Sequence, residues 1–336
     1  MSRPLRTFSG IQPTGRKHLG NYIGAIRQYV ASQERGEAIF CIVDLHATTV
    51  PYDPSGLRSS VHDMAALLFA AGLDPERSIV FRQGDVGEHS ELQWLLQAST
   101  SWGDLNRMHQ WKTKREQLES QPGAFVPAGI FTYPVLQAAD VLLYRATEVP
   151  VGDDQRQHIE LMRDVAERFN ERFGETLVVP EHRIPEVGAR IMDLQRPEAK
   201  MSTTGGTEQG TVAVLDEPNR VVKKFKSAVT DSGTEVRRGA DKPGVTNLIE
   251  ILAAVRDLDP ASIEAEFSGA RYGEFKTAVA ESVVEYLRPV REGYEALRGD
   301  ESELERLLAI GAERAREIAA PVLADVREAM GVGAPR

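Results

Sequence analysis

A parallel α/β sheet followed by an all-helical region is the fold class this sequence predicts, and three observations carry the prediction. In the first half, short β-rich runs alternate with stretches of helical periodicity. After about Val214 the strand-like runs stop and helical patterns alone remain. Hydrophobic residues make up 41% of the 336-residue chain, enough to bury a sizeable core and too many for a disordered polypeptide.

Taken in order, residues 6–9 are extended and a helical stretch covers about 19–34. The apolar run 38–43 reads as the second strand. A helix over about 54–71 leads to a strand at 78–82. Helical patterns recur near 88–102, 130–144 and 154–169, with a strand-like piece at 148–151. Sheets of this kind bind ligands outside the carboxyl ends of their strands. Further on, Asp300 with Glu303 reads as a capping box that opens the last helix. Leu304, Leu308, Gly311, Ala315, Ile318 and Val322 then recur at three- and four-residue steps along one face. Pro321 is expected to kink or break that helix. Stretches 120–127 and 202–211 read as mobile loops.

Composition excludes several classes. The formal net charge of −10 argues against wholesale coating of nucleic acid, although local patches escape such a sum. Arg220, Lys223, Lys224, Lys226, Arg237, Arg238 and Lys242 cluster with only Asp231, Glu235 and Asp241 among them. A second basic knot, Lys112, Lys114 and Arg115, adjoins Trp111. Such groups neutralise phosphates or simply form solvated faces. The lone Cys41 allows no intrachain disulfide and no cysteine-built zinc site. The longest apolar runs fall short of the roughly 20 residues that span a bilayer. No apolar run follows the arginines of the first eight residues, so no signal peptide is read. The expected location is the cytoplasm, with no membrane partner.

Four segments carry residues of chemical use. Phe8-Ser9-Gly10-Ile11-Gln12-Pro13-Thr14-Gly15 leaves a strand and turns, and His18-Leu19-Gly20-Asn21 enters a helix. Such an entry presents free N–H groups and a positive dipole end to phosphate. Gly20 lets a flat ligand approach the backbone, and His18 and Asn21 stand one turn apart. The same residues also make an ordinary strand–turn–helix. Val149-Pro150-Val151-Gly152-Asp153-Asp154-Gln155 is again a strand end running into a helix. A carboxylate there accepts from ribose hydroxyls and Gln155 suits a zwitterion, while Asp153 also reads as a plain N-cap. Lys200-Met201-Ser202 precedes a Gly/Thr-rich loop, where a lysine either closes over a polyphosphate or lies in solvent. Asp140, in an apolar helical stretch, needs an arginine or a ligand N–H as partner. His46 follows the second long strand, at a ligand-binding sheet end or as a core histidine bonded to backbone.

In this order the segments resemble class I aminoacyl-tRNA synthetases, matching their HIGH-type and KMSKS-type signatures. More closely, Ser9 to Gly15, Thr132-Tyr133-Pro134, Ala138-Ala139-Asp140, Val151-Gly152-Asp153-Asp154-Gln155-Arg156-Gln157-His158 and Ala228-Val229-Thr230-Asp231 resemble bacterial tryptophanyl-tRNA synthetases. The likeness runs from about Thr7 to the final helix. It implies activation of L-tryptophan with ATP, accompanied by Mg2+, to tryptophanyl-adenylate and pyrophosphate, then transfer to the 3′ end of tRNA(Trp). It implies a homodimer with a Rossmann-type catalytic domain at 1–212, including a dimerisation insertion at about 50–125. Residues 213–298 are then a helical anticodon-binding domain, and 300–331 a helix packing back on the catalytic domain.

On the same resemblance, Gly20, Gly152, Asp154, Ile191 and Met201 hold the adenosine of ATP. Gln12, His18, Asn21, Lys114, Lys200 and Ser202 act on the phosphates. Phe8, His46, Tyr133, Gln137, Asp140, Val151 and Gln155 line the tryptophan pocket, with Asp140 accepting the indole N–H. No protein-held metal is expected, and the basic segment 220–242 is placed near tRNA phosphates. Two residues depart from the pattern: Thr203 stands where the second signature lysine belongs, and Gln137 where many relatives carry methionine. The alternative reading is a synthetase-like paralogue that senses tryptophan or binds a partner protein with little aminoacylation.

Overall fold

The computed structural model describes residues 5–120, 123, 125–150, 152, 155–183, 190–203 and 205–334. Among them, strands β1 (Arg6–Ile11), β2 (Glu37–Ile42), β3 (Ser78–Arg82), β4 (Glu148–Pro150) and β5 (Glu181–Arg183) pair wholly in parallel, in the order β3-β2-β1-β4-β5. Helices cover both faces, which is why β2 reads as an unbroken apolar run: Ala38, Ile39, Phe40, Cys41 and Ile42 are all buried. The chain builds outward from β1 to β3 and then returns to β4 on the other side of β1. That reversal opens a crevice between the carboxyl ends of β1 and β4, where ligands of such sheets bind. The three-residue β5 escaped the sequence pattern because it is too short to show alternation.

Around the sheet, α1 (Leu19–Asn21) and α2 (Arg27–Ser32) are joined through a π-helical stretch, Tyr22–Ile26, into one rod. The sequence predicted a regular helix there. The wider turn lets Leu19, Tyr22, Ile23 and Ile26 enter one core while Tyr29 and Val30 also meet another. Next come α3 (Asp44–Ala47) and α4 (Pro54–Ala70), the latter opened by Asp53, whose carboxylate accepts the Gly56 N–H at 2.6 Å. The helix expected over 88–102 is two: α5 (Glu88–Leu96) and α6 (Trp102–Arg107). Thr100 Oγ1 donates to the Leu96 carbonyl at 2.8 Å, and Ser101 caps the new helix through the Gly103 N–H. No side chain of α7 (His109–Glu119) is fully buried, so its apolar periodicity is too weak to read.

Then follow α8 (Ala128–Leu142) and α9 (Arg156–Phe173), and beyond residue 214 the described chain is helical: α10 (Pro218–Lys226), α11 (Pro243–Arg256), α12 (Pro260–Glu266), α13 (Tyr272–Arg298) and α14 (Glu301–Met330). Pro321 does not end α14. An internal proline costs about 3 kcal/mol, but Val322, Leu323 and Val326 beyond it are buried, at about 1.5–3 kcal/mol each. Helix α14 lies on the edge strand β3 so closely that a Cβ at Gly311 would fall 1.8 Å from the Val80 carbonyl oxygen. It thereby covers a sheet edge. The helical half is not hung on a linker: Leu19, Tyr22, Ile191 and Met201 share one core with Phe225, Leu252, Phe275 and Leu287.

Candidate active site

At the end of β1 the chain turns to His18, the N-cap of α1. His18 Nδ1 accepts the Asn21 N–H at 3.2 Å, while Asn21 Oδ1 accepts the His18 N–H at 3.2 Å. A ring nitrogen that accepts carries no proton, so the neutral imidazole presents its hydrogen on Nε2. Burial first, then the charges of Lys200 and Lys17, lower the His18 pKa to about 4. At neutral pH His18 is therefore an uncharged donor. The expectation that both side chains face one phosphate narrows, because the Asn21 oxygen is engaged in the cap. The Leu19 N–H donates to the Val212 carbonyl at 2.8 Å, so it is closed to a ligand as well. A Cβ at Gly20 would lie 3.1 Å from His18 Nδ1 and 3.3 Å from Ile191 Cβ, which ties this turn to the segment before the signature lysine.

That segment folds as a clasp. Met201 N–H donates to the Ile191 carbonyl at 3.1 Å, and Met192 faces Lys200 across an antiparallel bridge. Ile191 and Met201 are buried in the core below, so neither side chain is open to adenosine; they form the floor. Lys200 stays exposed. Under the loop sits Asp193, fully buried, whose carboxylate accepts from the backbone of Gln195 (2.8 Å), Arg196 (3.0 Å) and Thr207 (3.1 Å). Ser202 closes the other side: its Oγ accepts the Gly205 N–H at 3.2 Å and its carbonyl accepts from Thr211 Oγ1 at 3.0 Å. Sequence reading missed Asp193, although an aspartate before Gln195-Arg196-Pro197 is an Asx-turn signal: its carboxylate bonds the backbone two residues on. Gln12 is exposed, and its carbonyl accepts from Lys17 Nζ at 3.2 Å.

The other end of the crevice belongs to α8, where Tyr133, Gln137, Asp140 and, just past its last turn, Tyr144 recur on one face. Asp140 is buried, and it is partnered by neither an arginine nor a ligand alone. Its Oδ1 accepts from Gln83 Nε2 at 2.5 Å and His89 Nδ1 at 2.7 Å, and its Oδ2 from His46 Nε2 at 2.8 Å. His89 Nε2 in turn meets the Tyr144 hydroxyl at 2.8 Å. Burial raises the Asp140 pKa, but the charges and hydrogen bonds of His46 and His89 outweigh it and bring the carboxyl to about 2. The expectation of an arginine or a ligand N–H as its partner is thus corrected: two histidines and a glutamine hold it. Gln83 and His89 went unread, though Gln83 directly follows β3 at a sheet end, the signal that had flagged His46 after β2.

Around Asp140, the Tyr133 hydroxyl donates to Gln110 Oε1 at 3.1 Å and meets His158 Nε2 at 2.8 Å. Gln137 Nε2 reaches Gln155 Oε1 at 3.5 Å. Phe8 is buried and stacks on Tyr144, centroids 5.3 Å apart and planes 13° off parallel, so it serves as a wall from within the core. Lys114 Nζ sits 4.5 Å over the Tyr133 ring, which places it at this end of the crevice; burial lowers its pKa. Gly152 is exposed, and its carbonyl accepts the Gln155 N–H at 3.0 Å. Val151 and Asp154 lie outside the described residues, as does Asp153.

The basic segment 220–242 is mostly neutralised within the chain. Arg220 pairs with Glu208 and Asp216, Lys224 with Asp216 at 2.6 Å, and Arg237 with Asp241 at 2.7 Å. Arg238 pairs with Glu264 at 3.3 Å and Lys242 with Asp231 at 2.8 Å. Lys223 and Lys226 alone in that set are exposed without a described partner. Most cations of the segment therefore also tie the fold together, while Lys223 and Lys226 stand open.

A parallel sheet with a His-Leu-Gly-Asn turn at the end of β1 and a lysine clasp facing it defines a class I synthetase site. The chain belongs to that class: the family described as tRNA synthetases class I (W and Y) matches residues 1–288. Within it, the chain is 48% identical to tryptophan–tRNA ligase 2 of Streptomyces avermitilis, over 97% of this chain and 96% of that protein. It is 46% identical to tryptophan–tRNA ligase of Wolinella succinogenes, over 97% and 98%. Among solved structures, tryptophanyl-tRNA synthetase from Mycoplasma pneumoniae superposes with a TM-score of 0.86 at 34% identity, covering 98% of this chain and 99% of that one. The Campylobacter jejuni enzyme, solved in complex with ADP and tryptophan, gives 0.85 at 34% identity over 98% and 100%.

Proposed function

We infer that this chain is a tryptophan–tRNA ligase: it activates L-tryptophan with ATP and transfers the product to the 3′ end of tRNA(Trp). The observation that carries this reading is a buried, ionised acceptor, Asp140, held by residues just past β2 and β3, together with His18 just past β1, close enough to Lys200 that the lysine charge acts on its imidazole. The substrate carboxylate is itself the nucleophile on the α-phosphorus, so activation needs no general base. What the site must supply is positioning and charge stabilisation. Neutral His18 donates from Nε2 without repelling Lys200. Lys200, on a loop held from beneath by Asp193, meets the charge that gathers on the departing pyrophosphate. Asp140 accepts the indole N–H at the far end, and Tyr133, Gln137 and Phe8 surround the ring. Phenylalanine would leave that carboxylate without its ligand donor, which rejects it.

ATP arrives with Mg2+, which neutralises triphosphate charge. This reading gives the Mg2+ the phosphates themselves as ligands. The enzyme works as a homodimer: Trp94 on α5 and Trp102 on α6 are each 71% exposed, inside the stretch assigned to dimerisation. The helices after residue 213 take the anticodon arm. Among the described residues no helix is long and apolar enough to cross a membrane, and the cytoplasm is the compartment that suits a translation enzyme. The sensor alternative gains nothing from the structure, since the clasp that presents Lys200 is intact.

The test is tryptophan-dependent ATP–pyrophosphate exchange with tyrosine as control, followed by charging of tRNA. Exchange and charging with tryptophan alone support the reading. Tryptophan binding without exchange overturns it in favour of the sensor.

A further inference from the structure

Beyond the side chains that face the crevice, a second set of residues acts on Asp140 from behind. We propose that Gln83, His89 and Tyr144 are positioning residues for substrate selection: they saturate one oxygen of Asp140 and leave the other as the acceptor offered to an indole N–H. This deepens the reading of Asp140 as the indole acceptor and rests on it.

The argument is one of counting and depth. An ionised carboxylate offers about four acceptor sites, two on each oxygen. Oδ1 has two donors, Gln83 Nε2 and His89 Nδ1, and is full. Oδ2 has one, His46 Nε2, and keeps one site open. Exposure runs the same way: the side chains of His89, Asp140 and His46 are 0%, 3% and 9% exposed, and Gln83 is fully buried. The saturated oxygen thus lies against the more deeply buried partners, and the oxygen with a site left lies against the least buried one, His46.

Each donor is itself locked. Gln83 Oε1 accepts the Leu45 N–H at 3.2 Å, so its amide cannot flip without losing both bonds. The Tyr144 hydroxyl holds His89 Nε2 at 2.8 Å, which leaves Nδ1–H as the end that meets Asp140. Tyr144 also stacks on Phe8, so the pocket wall and the acceptor hang on the same ring. A carboxylate gripped this way cannot turn its full oxygen outward, and selection for a ligand N–H becomes a property of buried residues that never touch substrate.

The experiment compares kcat/KM for ATP–pyrophosphate exchange with tryptophan and with β-(3-benzothienyl)alanine, in which sulfur replaces the indole N–H. The enzyme itself is expected to prefer tryptophan by about a hundredfold or more. Tyr144→Phe keeps the ring stack and removes the hydroxyl; Gln83→Leu removes one donor. In both variants the preference should fall about tenfold, through loss of tryptophan activity with little change for the analogue. Rescue by His89→Gln, whose amide can donate to Asp140, relative to His89→Ala, supports the same assignment. An equal fall for both substrates, or an unchanged ratio, overturns the proposal. A native enzyme with no preference overturns instead the indole-acceptor reading beneath it.

Discussion

The two ends of the crevice are built by different means. At the tryptophan end of the proposed site, Asp140 is held by residues 51 to 94 positions away in sequence, buried or nearly so and drawn from separate elements. At the nucleotide end, Asp193 is held by neighbours two to fourteen positions away, along a partly exposed loop that carries Lys200 and Ser202. Long-range buried contacts form only when the whole domain is folded, so the first end is as rigid as the core. Local turns open at small cost, so the second can rearrange over phosphates during turnover. On the proposed function, the contrast places choice of substrate at one end and rate at the other.

Several substitutions would break or sharpen that division. The largest effect is expected from Asp140→Ala, which strands two buried donors, Gln83 and His89, at roughly 1–3 kcal/mol each and should lower the denaturation midpoint sharply. The same carboxyl sets an acid limit. Its folded pKa of about 2 lies below the ordinary 3.8, so its stabilisation is present above about 3.8 and is lost as pH falls towards 2. Acid unfolding measured over that window should therefore be steeper in the native protein than in Asp140→Asn. At the nucleotide end, His18 protonates near 4 instead of 6.5, so kcat for pyrophosphate exchange should show no His18-type inflection between pH 6 and 7. An inflection there that vanishes in His18→Asn would reverse the assignment of a neutral donor.

Gln137→Met should change the affinity of tryptophan-mimicking inhibitors more than tryptophan turnover, because Gln137 lies beside Gln155 and not on Asp140. Equal fold changes in inhibitor Ki and kcat/KM contradict that. The smallest effect is expected from Thr203→Lys, which restores a signature cation to a loop already shaped by Asp193. Exchange should rise by less than about tenfold.

Much of this was legible in the sequence, and the rest failed for physical reasons. Strand β3 and helix α4 showed because apolar runs and helical periodicity are local. The motifs at His18 and Lys200 showed because each is continuous in sequence. Gln83 and His89 did not: their role exists only through contact with Asp140, which no spacing records. The ion pairs of the basic segment were equally hidden, since Glu208, Asp216 and Glu264 are brought in from outside or beside it by folding. The break expected at Pro321 did not occur, because its local cost is offset by burial that only the packed helix reveals.

The division of labour is tested most directly by measuring pyrophosphate exchange with tryptophan and its benzothienyl analogue in Asp140→Asn and Asp193→Asn side by side. The account predicts that Asp140→Asn collapses the preference for tryptophan, while Asp193→Asn lowers kcat by about a hundredfold for both substrates and leaves the ratio intact. A changed ratio in Asp193→Asn, or an unchanged one in Asp140→Asn, would contradict it.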